Sequence, residues 1–292
     1  MNKIRTLILI LATASGLAST HNAFAQTATN AAPAKTNEVS VFTDKRLEDV
    51  VRQQVFAKRE TNSPLTAVDV ATVSTINGNF KGITSLAGLE HCKAIASIDL
   101  AGNQITDLSP LKGLKQLQYL NLASNKISNV STIGTIGALQ YIELSNNQVT
   151  DIGSLSTCSN LASIYLSNNK ITSVAPLTNL PRVATLYADG NKLKSIAGLQ
   201  NLKWLTSVSL SRNQIADISP LASLRAPTWM LLEKNKVKDL TPLYRALTND
   251  NAGPKNFAPF LNLYLSGNPL NRASKKQLES LKPVGTRVKF EK

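Results

Sequence analysis

LQYLNLASNKISNVSTIGTIGA, residues 117–138, sets a pattern that most of the chain repeats. Its apolar residues stand at Leu117, Leu120, Leu122, Ile127, Val130, Ile133 and Ile136, with one asparagine, Asn125, among them. Asparagine recurs at Asn103, Asn125, Asn147, Asn169, Asn191, Asn213 and Asn235, each 22 residues after the last, and again at Asn268 after 33. A fixed period of this length marks a solenoid, in which each repeat is one coil and stacking neighbours bury a continuous core. Domain organisation is therefore counted in coils.

One coil, residues 139–160, gives the physical logic. Leu139, Ile142 and Leu144 are spaced to point inward with Glu143 outward, the period of two that belongs to a strand. Each coil thus predicts one short strand in a parallel sheet. The chain must then turn, and Asn147 is predicted to turn inward, where its amide can bond backbone groups of its own and the neighbouring coil. Val149, Ile152 and Leu155 build the opposite side. Several coils carry Ser/Thr-Pro there, as in Ser109-Pro110, Ser219-Pro220 and Thr241-Pro242, which predicts a polar cap and a proline opening a short helical turn. The two sides then differ in width, which bends the stack and makes the strand face concave.

Working outward, residues 71–268 read as one degenerate coil, with Lys81 where asparagine belongs, followed by eight regular ones. Residues 41–70 predict a helical amino-terminal cap: Asp44 caps a helix with Leu47, Val50, Val51 and Val55 on one face, running to about Lys58, and a second turn begins near Thr66. The extra residues between Asn235 and Asn268 predict an insertion near 246–257, with Asn249–Asn256 (NDNAGPKN) as a projecting loop. Residues 269–292 read as a carboxyl-terminal cap, with a helix around Ser274–Leu281, Gly285 as its stop and a final strand over Arg287–Phe290.

Residues 1–25 have a short basic start (Lys3, Arg5), an apolar run from Leu7 to Leu17 and a small-residue end at Ala23-Phe24-Ala25, which reads as a secretory signal peptide cleaved after Ala25. The run is too short and too broken by Ser, Thr and Ala to span ~30 Å of hydrocarbon. Residues 26–40, rich in Ala, Thr and Asn, read as a disordered leader. The expected product is exported, periplasmic or secreted, monomeric, and without a membrane span. The formal charge is +14, and removing Lys3 and Arg5 leaves +12. Such a charge favours solubility and weak attraction to anionic surfaces. Nucleic acid is not an expected partner, since no recognisable nucleic-acid motif is present.

Cys92 and Cys158 occupy the same inward slot three coils apart. At a strand spacing of about 4.8 Å they would lie roughly 14 Å apart, too far for a disulfide. Both are expected to be buried and apolar in role. No metal or cofactor site is predicted, and no enzyme: His91 is the one histidine beyond the leader, and no catalytic triad, paired-histidine site or phosphate-binding loop is found.

Binding is the function left to read. The positions six and four before each ladder asparagine face outward from the strands, and five of the six tyrosines fall there. Tyr119, Tyr141, Glu143, Tyr165, Tyr187, Trp229, Leu231 and Tyr264 are the candidate partner-binding residues, since aromatics on an outward sheet face are not needed for the core and are enriched at binding hot spots. Acids read on this face are Asp99, Glu143, Asp189 and Glu233, against Arg212 and Lys234. The lysine excess lies elsewhere, at Lys126, Lys170, Lys192 and Lys236 after the ladder asparagines and in the seven bases from Arg272 to Lys292. The sequence thus predicts a protein ligand on the concave face, with attachment to anionic polysaccharide or envelope lipid through the basic edge and tail as the alternative.

The repeats carry the leucine-rich-repeat signature, and they resemble the 22-residue class found in bacterial internalin-like proteins. The cap segments 45–48 and 65–69, the entry Gly82-Ile83-Thr84-Ser85-Leu86-Ala87-Gly88-Leu89-Glu90 and the exit Leu263–Leu270 (LYLSGNPL) are similar to those of exported members. The resemblance implies an α/β solenoid, an arc with parallel short strands on its concave face, capped at both ends, which grips a protein partner.

Overall fold

The computed structural model describes residues 39–291, so the segment read as a signal peptide and most of the segment read as a leader lie outside the described residues. Ten short strands form one open parallel sheet in chain order. They are β1 (Thr75–Asn77), β2 (Ser97–Asp99), β3 (Tyr119–Asn121), β4 (Tyr141–Glu143), β5 (Ser163–Tyr165), β6 (Thr185–Tyr187), β7 (Ser207–Ser209), β8 (Trp229–Leu231), β9 (Asn262–Tyr264) and β10 (Arg287–Lys289). Each pairs in register with the next, Tyr119 against Tyr141 and Tyr165 against Tyr187, so equivalent residues of successive coils form columns. The architecture is the leucine-rich-repeat arc.

Between strands, short 3₁₀ turns such as Ser109–Leu111, Ser131–Thr135 and Gly153–Thr157 build the opposite side. The side-chain bond that opens them does not come from the Ser/Thr expected to cap. Ser109 is already the first residue of its turn, and Asp107, two residues earlier, accepts from the Ser109 N–H at 2.8 Å and from its hydroxyl at 2.6 Å. Asp217 and Asp239 accept from the Ser219 and Thr241 N–H groups in the same way. An aspartate bonding the N–H two residues on makes an Asx turn, which leaves Ser/Thr free to sit inside the helical turn.

The core is a stack of equivalent apolar layers: Leu120, Ile142, Ile164, Leu186 and Val208 from the strands, and Leu111, Ile133, Leu155, Leu177 and Leu199 from the turns, all buried. Burying each such side chain contributes roughly 1.5–3 kcal/mol, repeated in every coil. Through the same interior runs the asparagine ladder. Asn147 accepts from Ile127 N–H at 2.9 Å, in the preceding coil, and its amide nitrogen donates to Leu122 O at 2.9 Å and Leu144 O at 3.0 Å. Asn103, Asn125, Asn169, Asn191, Asn213, Asn235 and Asn268 repeat this bonding, so each side chain ties its own turn to the coil before it. Cys92 and Cys158 are free and buried, and desolvation pushes the Cys92 thiol up to about 12.

At the amino end, α1 spans Lys45–Arg52 and stops earlier than its apolar spacing suggests. Val55 is extended, and the Arg52 guanidinium turns back to the carbonyls of Lys58, Thr61 and Ser63, fixing the chain as it leaves the helix. Asp44 caps α1 through Arg46 N–H and also accepts from the N–H and hydroxyl of Thr84, at 2.7 and 2.9 Å. One carboxylate thereby joins cap to first coil. A second short helix, α2 (Ala67–Val70), starts at a Thr66–Asp69 capping box.

Within the insertion, part of the loop reading is corrected. Asn249–Ala252, read as the start of a loop, are the last turn of α3, a helix over Thr241–Ala252 standing where other coils have a 3₁₀ turn. The polar composition misleads because Asp250 is buried: its carboxylate accepts from the N–H groups of Asn256, Phe257 and Ala258 and folds the following turn back under the helix. The carboxyl end carries α4 (Arg272–Ser280), a left-handed Gly285 and β10.

A candidate protein-binding face on the strands

The outward side chains of the strands form two columns, one from the first and one from the third residue of each. The first column reads Ser97, Tyr119, Tyr141, Ser163, Thr185, Ser207, Trp229, Asn262; the third reads Asp99, Asn121, Glu143, Tyr165, Tyr187, Ser209, Leu231, Tyr264. Tyrosine therefore changes column between β4 and β5. The rings bridge that change: Tyr119 and Tyr141 stack with centroids 4.4 Å apart and planes at 12°, Tyr141 and Tyr165 follow at 5.3 Å, and Tyr165 meets Tyr187 edge-on at 5.2 Å. Four rings on four successive coils make one diagonal ribbon. Tyr187 completes it with a 3.1 Å hydrogen bond between its hydroxyl and Ser207 Oγ.

The ribbon is half-buried, and burial pushes the phenols of Tyr119, Tyr141 and Tyr165 above their ordinary value, helped by Asp99 beside Tyr119 and by the neighbouring phenols and Glu143 beside Tyr141 and Tyr165. They are neutral hydrogen-bond donors at physiological pH. Glu143 lies beside them; burial raises its carboxyl, against which the hydroxyl and N–H of Ser145 act, the latter a 2.7 Å bond.

Trp229 and Tyr264, grouped with the other aromatics by sequence, stack on each other at 6.1 Å and form a second patch. Ser207 and Ser209 of β7 separate it from the ribbon. Leu231 faces a cleft of about 290 Å³ with Asp189, Ser209, Ser211, Arg212, Glu233 and Lys234. Asp189 and Glu233, counted on the sheet face by sequence, lie past the strand ends in the turns: Asp189 accepts from Ser209 Oγ at 2.5 Å and Ser211 N–H at 2.7 Å.

Sequence reasoning missed the conformation behind this cleft. The residue before the ladder position is left-handed in every coil: Phe80, Gly102, Ser124, Asn146, Asn168, Gly190, Arg212, Lys234 and Gly267 all have φ between 53° and 76°. The run of Gly and Asn at that slot was the available signal, since both tolerate positive φ. Arg212 and Lys234 depart from it and bring two cations to the cleft on adjacent coils.

These features can be set beside known proteins. A model of leucine-rich repeats matches residues 93–134, 138–179 and 181–223. The structure of internalin C2 from Listeria monocytogenes is 32% identical over 70% of this chain and 89% of that one, with a TM-score of 0.65. The chain belongs to the internalin family. A leucine-rich-repeat protein of Leptospira interrogans shares the internalin-type fold at 18% identity, covering 79% of this chain and 66% of its own, with a TM-score of 0.65. A plant peptide hormone receptor, solved in complex with RGF2, matches at 19% identity over 69% of this chain and 40% of its own, with a TM-score of 0.51. No curated protein matches. Among the described residues of this internalin, no helix is long and apolar enough to cross a membrane.

Proposed function

We propose that this internalin is an exported, non-catalytic module that binds a protein partner through the concave strand face, with the ribbon Tyr119–Tyr141–Tyr165–Tyr187 at the centre of the contact. The observation that carries the reading is the continuity of those four rings, centroids 4.4 to 5.3 Å apart, on the solvent side of a sheet whose core is complete without them. Half-buried rings held by one another lose little freedom on binding, which suits hot-spot anchors. Trp229, 42% exposed, and Tyr264 extend the contact towards the carboxyl end. Export rests on the signal-peptide reading of residues 1–25.

Replacing Tyr141, Tyr165 and Tyr187 together by serine tests the reading. Partner capture is lost while the circular-dichroism melt stays cooperative; capture at the parent level overturns it. Retention on isolated envelope that collapses as salt rises would instead direct attention to the basic edge.

A further inference from the structure

The ribbon has an unfinished end. Tyr141 covers one face of the Tyr119 ring, but the in-register neighbour on the other side is Ser97, whose side chain is too small to cover the ring. Diagonal to Tyr119 on β2 stands Asp99, and its Oδ1 is buried with no hydrogen-bond partner.

The missing partner has a local cause. In the next two coils the third strand residue bonds the N–H two residues on: Asn121 accepts from Ala123 at 3.0 Å and Glu143 from Ser145 at 2.7 Å. The equivalent donor for Asp99 is Ala101 N–H, and it is taken by Asn79 of the preceding coil at 2.7 Å. Nor does any lysine or arginine form an ion pair with Asp99 or Glu143 among the described residues. The column Asn77, Asp99, Asn121, Glu143 is thus a line of oxygen acceptors carrying two acids, in a chain with a formal charge of +14. An unmet buried acceptor is costly unless a donor arrives.

We propose that this end of the ribbon receives an arginine side chain of the protein partner, its guanidinium lying on the uncovered face of Tyr119 and donating to the Asp99 carboxylate. Arginine fits better than lysine, because its planar cation stacks on an aromatic ring while its edge donates to a carboxylate. The inference rests on the reading of the strand face as a protein-binding surface and adds the charge and residue type that the surface selects.

The probe is N-acetyl-arginine amide, followed by the ring signals of the full chain carrying ¹³C-labelled tyrosine, with N-acetyl-citrulline amide as the uncharged match and N-acetyl-lysine amide as the second cation. Arginine shifts the Tyr119 signals saturably; citrulline binds at least about tenfold more weakly, as expected for loss of a charge-assisted bond, and lysine is intermediate. Asp99→Asn, an exchange the column already accommodates at positions 77 and 121, weakens arginine by about tenfold with an unchanged melt. No saturable shift at Tyr119 up to 100 mM probe (~0.1 M, where screening of charges is already substantial), equal response to citrulline, or indifference to Asp99→Asn overturns the inference. The tyrosine-to-serine capture experiment is read separately. Capture lost there with no arginine response here removes only the arginine pocket, whereas an intact capture removes the ribbon reading and the partner arginine with it, whatever the titration shows.

Discussion

Tyr119 and Tyr141 stack at 4.4 Å with their planes 12° apart, although nothing in the core requires either ring. The strands set this distance: in-register residues of adjacent parallel strands lie about 4.8 Å apart, close to the separation of two stacked rings. The solenoid thus orders aromatic side chains at no cost in extra structure.

The pair is expected to couple. In a double-mutant cycle with Tyr119→Ala and Tyr141→Ala, the interaction energy should be about 0.5–1.5 kcal/mol, read from urea unfolding. The same cycle on Tyr119 and Tyr187, which share no contact, should give nothing beyond error.

The ladder should behave as a structural spine. Asn147→Ala strands the Ile127 N–H inside the coil stack and leaves the Leu122 and Leu144 carbonyls with only the amides of Asn125 and Asn169, and should cost ~1–3 kcal/mol, more than most surface changes. Lowered unfolding midpoints with an unchanged m-value would show that stability was lost without loosening of the native coil.

Left-handed positions offer the opposite sign. Arg212→Gly and Lys234→Gly relieve side chains held at φ of 55° and 53°, and each should raise stability by up to about 1 kcal/mol. Gly190→Ala should lower it, because the added carbon would stand 2.4 Å from Asn168 Oδ1 at a φ of 62°. Thermal melts of the three variants check the set.

Acid should release the amino-terminal cap first. Burial alone would raise the Asp44 carboxyl, but Thr84 N–H, the Arg46 guanidinium, the Thr84 hydroxyl and Arg46 N–H hold it well below the usual range. Since the folded value lies below the unfolded one, the stability it contributes is present above about pH 4, the unfolded carboxylate's range, and disappears as pH falls through the folded value. Hydrogen exchange in α1 and around Thr84 should accelerate below about pH 4, the unfolded Asp range. Asp44→Asn should show the faster exchange already at neutral pH.

Much of this molecule was legible because one coil repeats. Leu120 and its equivalents declare the strand by alternation, and Asn125 and its equivalents declare the turn, so the arc could be read without long-range information. Three features escaped for separate reasons. Asp250 sits in a segment whose polarity suggests a loop, and only the backbone groups it caps explain its burial. Asp189 and Glu233 alternate like strand residues, yet the chain has already turned left-handed one position later, at Gly190 and Lys234. The unmatched Asp99 oxygen depends on Asn79 in another coil taking its donor, a competition that no single repeat reveals.

The central claim is that a protein partner sits on the tyrosine ribbon. Its most direct measurement places a photoreactive phenylalanine analogue at Tyr165, on the ribbon, and separately at Lys170, on the basic edge, and illuminates the protein in its native surroundings. The account predicts a discrete protein crosslink from position 165 that disappears when Tyr141 and Tyr187 are also serine, with none from position 170. A crosslink from position 170 alone, or from neither, would contradict it.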